Sequence, residues 1–179
     1  MCMSGPGASE MHFRAVGLLL ILAMGGLACN GKQNLRPDGR QSIYDLDYPQ
    51  AGGGRFRLGQ CRDKVMVIDF FATWSQASLV AIPGYNLMFR KHSNRDFCML
   101  GIALDDLGMQ VVAPYVRGLG VDYPVLAADE DMREGRSPFG SLTAIPSLMI
   151  FDREGSLVGV FLGLVPPKRI EEVLDRLLR

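Results

Sequence analysis

The chain has 179 residues, and its 19 Lys and Arg are matched by 19 Asp and Glu. That length suits one globular domain behind a targeting segment, and the balance excludes both the basic excess that binds nucleic acid and a long acidic tail. No fixed-period repeat or low-complexity tract interrupts the body of the chain, so a single compact domain is expected.

At the N-terminus, Met11-His12-Phe13-Arg14 leads into an apolar run over 15–24. A short positive stretch, a short apolar core and small residues after it describe a secretory signal peptide. The run falls short of the ~20 apolar residues a membrane-spanning helix needs. Gly25-Gly26-Leu27-Ala28-Cys29-Asn30 resembles the lipobox of bacterial lipoproteins, although that pattern prefers Leu three residues before the cysteine and Leu27 stands two before. The resemblance implies cleavage before Cys29 and lipidation of its thiol; the alternative is an ordinary signal peptide with an incidental cysteine. Residues 1–28 therefore read as a lipoprotein signal peptide, with Met11 an alternative start. Residues 29–41, polar and rich in turn formers, read as a flexible tether.

The body of the chain alternates strands and helices. Residues 64–71 form a near-continuous apolar run, the pattern of a buried central strand. A helix over 75–91 is interrupted by Pro83, a second buried strand spans 97–104, and a helix over 109–119 is started or kinked in its second half by Pro114. Residues 147–152 form a third strand, Arg153-Glu154-Gly155 turns the chain, and 156–162 returns as its hairpin partner. The tail from Pro167 places Ile170, Val173, Leu174, Leu177 and Leu178 at helical spacing. This order, βαβα then ββα, predicts an α/β fold with a mixed central sheet, parallel strands plus a C-terminal antiparallel hairpin, and helices on both faces.

Specific residues narrow the class. Val67-Ile68-Asp69-Phe70-Phe71-Ala72-Thr73-Trp74-Ser75-Gln76-Ala77-Ser78 resembles the thioredoxin-family segment in which a strand runs into C-x-x-C. Gly101 to Asp106 resembles the second family strand, Pro83 the family's helix proline, and Thr143 to Gly155 the cis-proline segment with its hairpin. The resemblance covers 42–179 and points to the TlpA-type periplasmic thiol:disulfide oxidoreductases, within the wider thioredoxin-like and redoxin class. It implies a groove at Trp74, Ile145 and Pro146 that receives extended polypeptide, and a buried acid at Asp69 beneath the redox pair.

That redox pair is where the sequence departs from the family, because Ser75 and Ser78 stand at the two cysteine positions. Thiol–disulfide exchange needs a thiolate and a mixed disulfide. A helix N-terminus lowers a thiol pKa from ~8.5 into the range ~3.5–7.5, but does not make an alkoxide of a serine. Ala77, Leu79 and Ala81 depart from the family's Pro, basic residue and Glu as well. Ser75 reads as a helix N-cap. Asp69 should have its pKa raised by burial and has no cysteine to serve. His92, the one histidine of the mature chain, lies too far along its helix to act on a serine and is expected to be solvated.

Cys61 and Cys98 flank the first two buried strands, at the end of the sheet away from the serines if those strands are parallel neighbours. They read either as a structural disulfide, as two unpaired thiols, or as a redox couple. No metal or cofactor is expected, since no Cys/His cluster has ligand spacing and no C-x-x-C-H haem site occurs. The expected protein is a lipid-anchored, thioredoxin-fold module on the periplasmic face of a bacterial membrane, redox-inactive at the usual site. It would bind or scaffold an extracytoplasmic protein or peptide. The alternative is an oxidoreductase or antioxidant redoxin that uses Cys61 and Cys98 or a partner's thiols. Cys29→Ser should release the chain in soluble form or leave the precursor uncleaved; unchanged fractionation and mass would refute lipidation.

Overall fold

A computed structural model describes residues 42–93 and 96–179 of the chain. The expected signal peptide over 1–28, the expected lipidation site Cys29 and the expected tether over 29–41 lie outside the described residues. Two short strands, β1 (Asp47–Pro49) and β2 (Arg55–Arg57), pair antiparallel ahead of the main sheet. The sheet itself is built from β3 (Val65–Phe71), β4 (Phe97–Ala103), β5 (Val125–Ala127), β6 (Ser147–Phe151) and β7 (Leu157–Leu162). Its spatial order is β5-β4-β3-β6-β7. β3 pairs parallel with β4 and antiparallel with β6, in a register that sets Asp69 opposite Gly101 on one side and Leu148 on the other. The predicted mixed sheet with a C-terminal hairpin is therefore present. The short strand β5 and the β1–β2 pair were not expected from the pattern of residues, because three-residue strands carry too little periodicity to register.

All seven residues of β3 are buried. An unbroken buried run needs a layer on each face of the sheet. On one face Val65, Val67 and Phe71 pack against α1 (Gln76–His92), α2 (Met109–Leu119) and α4 (Pro167–Leu177). Ala81, Tyr85, Met88, Val112, Ile170 and Leu174 supply the helical side of that core. On the other face Met66, Ile68 and Phe70 pack against the 3-10 turns Ile43–Asp45 and Leu58–Cys61, strand β1 and the one-turn helix α3 (Glu130–Arg133). The long helices thus share one face, while the N-terminal segment and α3 cover the other. Successive right-handed β-α-β crossovers β3-α1-β4 and β4-α2-β5, stepping the same way across the sheet, place both helices on one side.

The two prolines that were expected to interrupt or kink their helices are accommodated within α1 and α2, each of which runs continuously through its proline. No helix among the described residues is long and apolar enough to cross a membrane.

Cys61 and Cys98 are joined by a disulfide with a Cα–Cα separation of 5.5 Å, across 37 residues of sequence. Cys61 ends the 3-10 turn that precedes β3, and Cys98 lies in β4 opposite Met66. The bond fastens the N-terminal cover to the sheet. On the loop-entropy account, closing a loop of this length stabilises the fold by about 4 kcal/mol. The variant Cys61→Ala/Cys98→Ala, or reduction of the native chain, should lower the unfolding free energy by about 2–4 kcal/mol in urea titrations. If reduced and oxidised chain unfold at one midpoint, the bond carries no such load.

Candidate functional site

Three chain segments meet at the C-terminal end of β3. β3 hands over to Ala72-Thr73-Trp74-Ser75, after which α1 begins. Because β6 is antiparallel to β3 and sets Ser147 opposite Phe70, the residues just before β6 arrive at the same end. There the Ile145–Pro146 bond is cis. The backbone N–H of Gly163, just past β7, donates to the Pro146 carbonyl at 2.7 Å and fixes the third segment.

Asp105, two residues beyond β4, holds the β3–α1 connection in place. Its carboxylate accepts from the Thr73 backbone N–H at 3.0 and 3.2 Å and from Thr73 Oγ1 at 2.5 Å. With the hydroxyl and amide of Thr73 both taken, Trp74 projects outward and is 71% exposed. Pro146 is buried and Ile145 half-buried. The role of Asp105 was not read from the sequence, although an Asp pair directly after a buried strand was visible there.

The two serines are occupied with structure. Ser75 is the N-cap of α1, and its Oγ accepts the Ser78 backbone N–H at 3.2 Å. Such a cap is worth about 1 kcal/mol. Both serines are buried, and Ser78 Oγ has no hydrogen-bond partner. Ser75 and His92 stand at opposite ends of the 17-residue α1, a separation of about 25 Å at 1.5 Å per residue. Ser75 Oγ is engaged in its own cap and Ser78 Oγ is hydrogen-bonded to nothing among the described residues, so neither hydroxyl is paired with a base, and nucleophilic serine chemistry has no support here.

Asp69 lies two residues in from this end, on the face that α1 covers. It is fully buried, and Tyr123 donates to its Oδ2 at 3.1 Å while Oδ1 has no partner. Burial raises the Asp69 pKa to about 7, with the Tyr123 hydrogen bond pulling the other way. The Tyr85 and Tyr123 hydroxyls are pushed up in turn by burial and by the nearby Asp69 charge. Gly101, opposite Asp69 in β4, makes room for this arrangement: a Cβ there would lie 3.1 Å from both the Phe71 and the Tyr123 rings. The tyrosines were not singled out in the sequence, where nothing marks them as neighbours of an acid 54 residues away from Tyr123.

His92 differs from expectation. It is fully buried rather than solvated, against the Phe97 ring, with Nε2 2.9 Å from Glu171 Oε2 of α4. A helix end that docks on a second helix has no solvent side at that position. His92, Glu171 and Asp175 offer ligand atoms within 4.8 Å of one another, the one such group among the described residues. The Lys91 ammonium lies 2.5 Å from Glu171 and 3.7 Å from Asp175, so this cluster is an ion-pair network joining α1 to α4. The Cys61–Cys98 disulfide sits at the opposite end of β3 from the serines, at roughly 17 Å along the strand. Cys61 is fully buried and Cys98 half-buried.

A central strand that launches a helix, a cis-proline turn facing that helix start and an antiparallel hairpin beyond it define a thioredoxin-like fold. Solved structures agree. The chain is similar to a thiol:disulfide interchange protein of the thioredoxin family from Chlorobium tepidum, at TM-score 0.66 and 23% identity over 77% of this chain and 96% of that one. It is similar to a secreted Mycobacterium tuberculosis disulfide oxidoreductase at TM-score 0.64 and 12% identity, over 75% and 98%. The exposed lipoprotein thioredoxin of Streptococcus pneumoniae matches at TM-score 0.63 and 19% identity, over 74% and 99%. No protein-family profile and no curated protein sequence matches the chain. At these identities the likeness is one of fold, and function rests on the site itself.

The buried acid makes stability depend on pH. Asp69 holds its proton in the folded chain up to about pH 7, whereas an unfolded Asp releases it near 3.9. Between these values the folded state binds more protons than the unfolded state, so stability falls as pH rises through the window and levels off above it. From pH 5 to pH 8 the loss from this group should be about 3 kcal/mol. Asp69→Asn should flatten that slope in urea titrations across pH; an unchanged slope would show that Asp69 is not its source.

Proposed function

We propose that this chain is a membrane-tethered, extracytoplasmic protein-binding module on a thioredoxin-like scaffold, without thiol–disulfide turnover at the Ser75–Ser78 end of the sheet. One observation carries the reading. The recognition side chain is presented while the reactive positions are spent: Trp74 stands 71% exposed near cis-Pro146, while Ser75 and Ser78 are buried and Ser75 Oγ caps its own helix. An exposed indole at a preformed turn is the kind of aromatic anchor that dominates protein–protein contacts. The occupant is an extended segment of an extracytoplasmic protein. The location draws support from the signal-peptide pattern, from a disulfide of the kind that persists in oxidising compartments, and from fold neighbours described as secreted or as an exposed lipoprotein. Anchoring through a lipid on Cys29 completes the reading.

A second reading is favoured by the disulfide itself: exchange at Cys61–Cys98, in line with the oxidoreductases among the fold neighbours. Against it, Cys61 is fully buried and Cys98 half-buried within β4, and neither lies at the N-terminus of an α-helix that would favour a thiolate. Insulin reduction and peroxide consumption by the full chain should stay at background. Ser75→Cys/Ser78→Cys should gain weak reductase activity, because position 75 lies at a helix N-terminus that favours a thiolate. Wild-type turnover that vanishes in Cys61→Ala/Cys98→Ala would overturn the first reading and establish the second.

A further inference from the structure

Alongside α1, on the side that meets the β7–α4 connection, runs an open groove of about 390 Å³. Val80, Ala81 and Gly84 of α1 form one wall, and Leu164, Val165 and Pro166 form the other. Gly84 sets its depth: a Cβ there would lie 3.1 Å from the Pro167 ring, so any side chain would push the walls apart. Tyr85 is the one polar side chain among the lining residues. Val80 is 61% and Leu164 55% exposed, which leaves two large aliphatic side chains facing water across a concave surface. Isolated surface aliphatics are ordinary, but aliphatics converging on a groove mark a contact surface.

The groove's chemistry selects among occupants. Small-molecule sites carry several placed polar groups that orient the ligand, and this lining lacks them. Along the chain the groove residue Pro167 is followed directly by Lys168 and Arg169 in the first turn of α4, both exposed and without an ion-pair partner among the described residues. That turn holds no acidic residue, and cations at a helix N-terminus oppose its dipole. These two charges therefore gain nothing from the dipole of their own helix. An apolar groove bordered by cations is complementary to an apolar segment bordered by anions, the apolar part supplying affinity and the charges orientation.

We propose that this groove seats an apolar polypeptide segment flanked by carboxylates, carried by the extracytoplasmic partner. The proposal rests on the binding-module reading above and specifies the partner's chemistry: aliphatic residues enter between α1 and the 164–167 connection, and Asp or Glu beside them meets Lys168 and Arg169.

Fluorescein-labelled peptides with a common Leu-Val-Leu-Phe core, continued by glutamates, serines or lysines, test it by anisotropy against the full chain. The glutamate peptide should bind about fivefold to tenfold more tightly than the serine peptide, with the lysine peptide weakest. Lys168→Glu/Arg169→Glu should reverse that order. Val80→Asp and, separately, Leu164→Asp should abolish binding of all three; both positions are exposed, and an unchanged near-UV circular dichroism spectrum checks the fold. Equal binding of the three peptides, or undiminished binding to both groove variants, overturns the proposal. Loss of binding in Trp74→Ala with both groove variants intact would overturn the groove yet leave the binding-module reading standing. Capture of phosphatidylglycerol vesicles that is lost in Val80→Asp, with no peptide bound, would overturn it in favour of a lipid surface.

Discussion

Because β3 has a covering layer on each side, every polar group it carries must be dealt with inside the protein. Its one ionisable residue is Asp69, and the surroundings of that carboxyl account for several otherwise unrelated choices. Tyr123 comes across from the α2–β5 connection to donate a hydrogen bond. Gly101 stands opposite with no side chain, so that the Tyr123 ring fits. What hydrogen bonding leaves undone, protonation supplies, since a neutral carboxylic acid is far cheaper to bury than a carboxylate. The same burial fixes the end of β3, and with it the place at which the chain must turn into α1.

How the turn is built decides what the site can do. Asp105 engages both the amide and the hydroxyl of Thr73, Ser75 closes the first turn of α1, and the indole between them has nowhere to go but out. In an oxidoreductase the helix terminus would serve a thiolate; here the Ser78 N–H is served by the Ser75 hydroxyl oxygen, which satisfies it but reacts with nothing. The architecture that presents an indole beside a cis-proline turn is separable from the atoms that would break a disulfide, and this chain carries the former.

Much of this was legible in the residues. The run over 64–71 could only be a buried strand, and the Phe71-Ala72-Thr73-Trp74 sequence with Ile145-Pro146 downstream identified the scaffold through residues that the fold brings together. Legibility failed where meaning depends on distant partners. His92 looked like a solvated helix end because Glu171, which buries with it, lies 79 residues on. Tyr123 and Gly101 look ordinary until β4 is laid beside β3. The short strands β1, β2 and β5 are held by pairing to neighbours rather than by a pattern of their own. The prolines at 83 and 114 marked interruptions by local rules that the packed helices override.

The covalent link between Cys61 and Cys98 also has a mechanical meaning. On the proposed function, a chain anchored at its N-terminal side and engaged by a partner would be under tension. Force entering near Ser42 travels through the β1–β2 pair to Cys61, crosses the sulfurs into β4, and goes on toward the C-terminus. Residues 62–97, which include β3, Trp74 and all of α1, hang in a closed loop off that path. The bond acts as a shunt: pulling on the two ends cannot draw residues 62–97 out lengthwise while the sulfurs stay joined, so Trp74 and α1 are shielded, whereas Pro146 and Leu164, beyond Cys98, lie on the line itself.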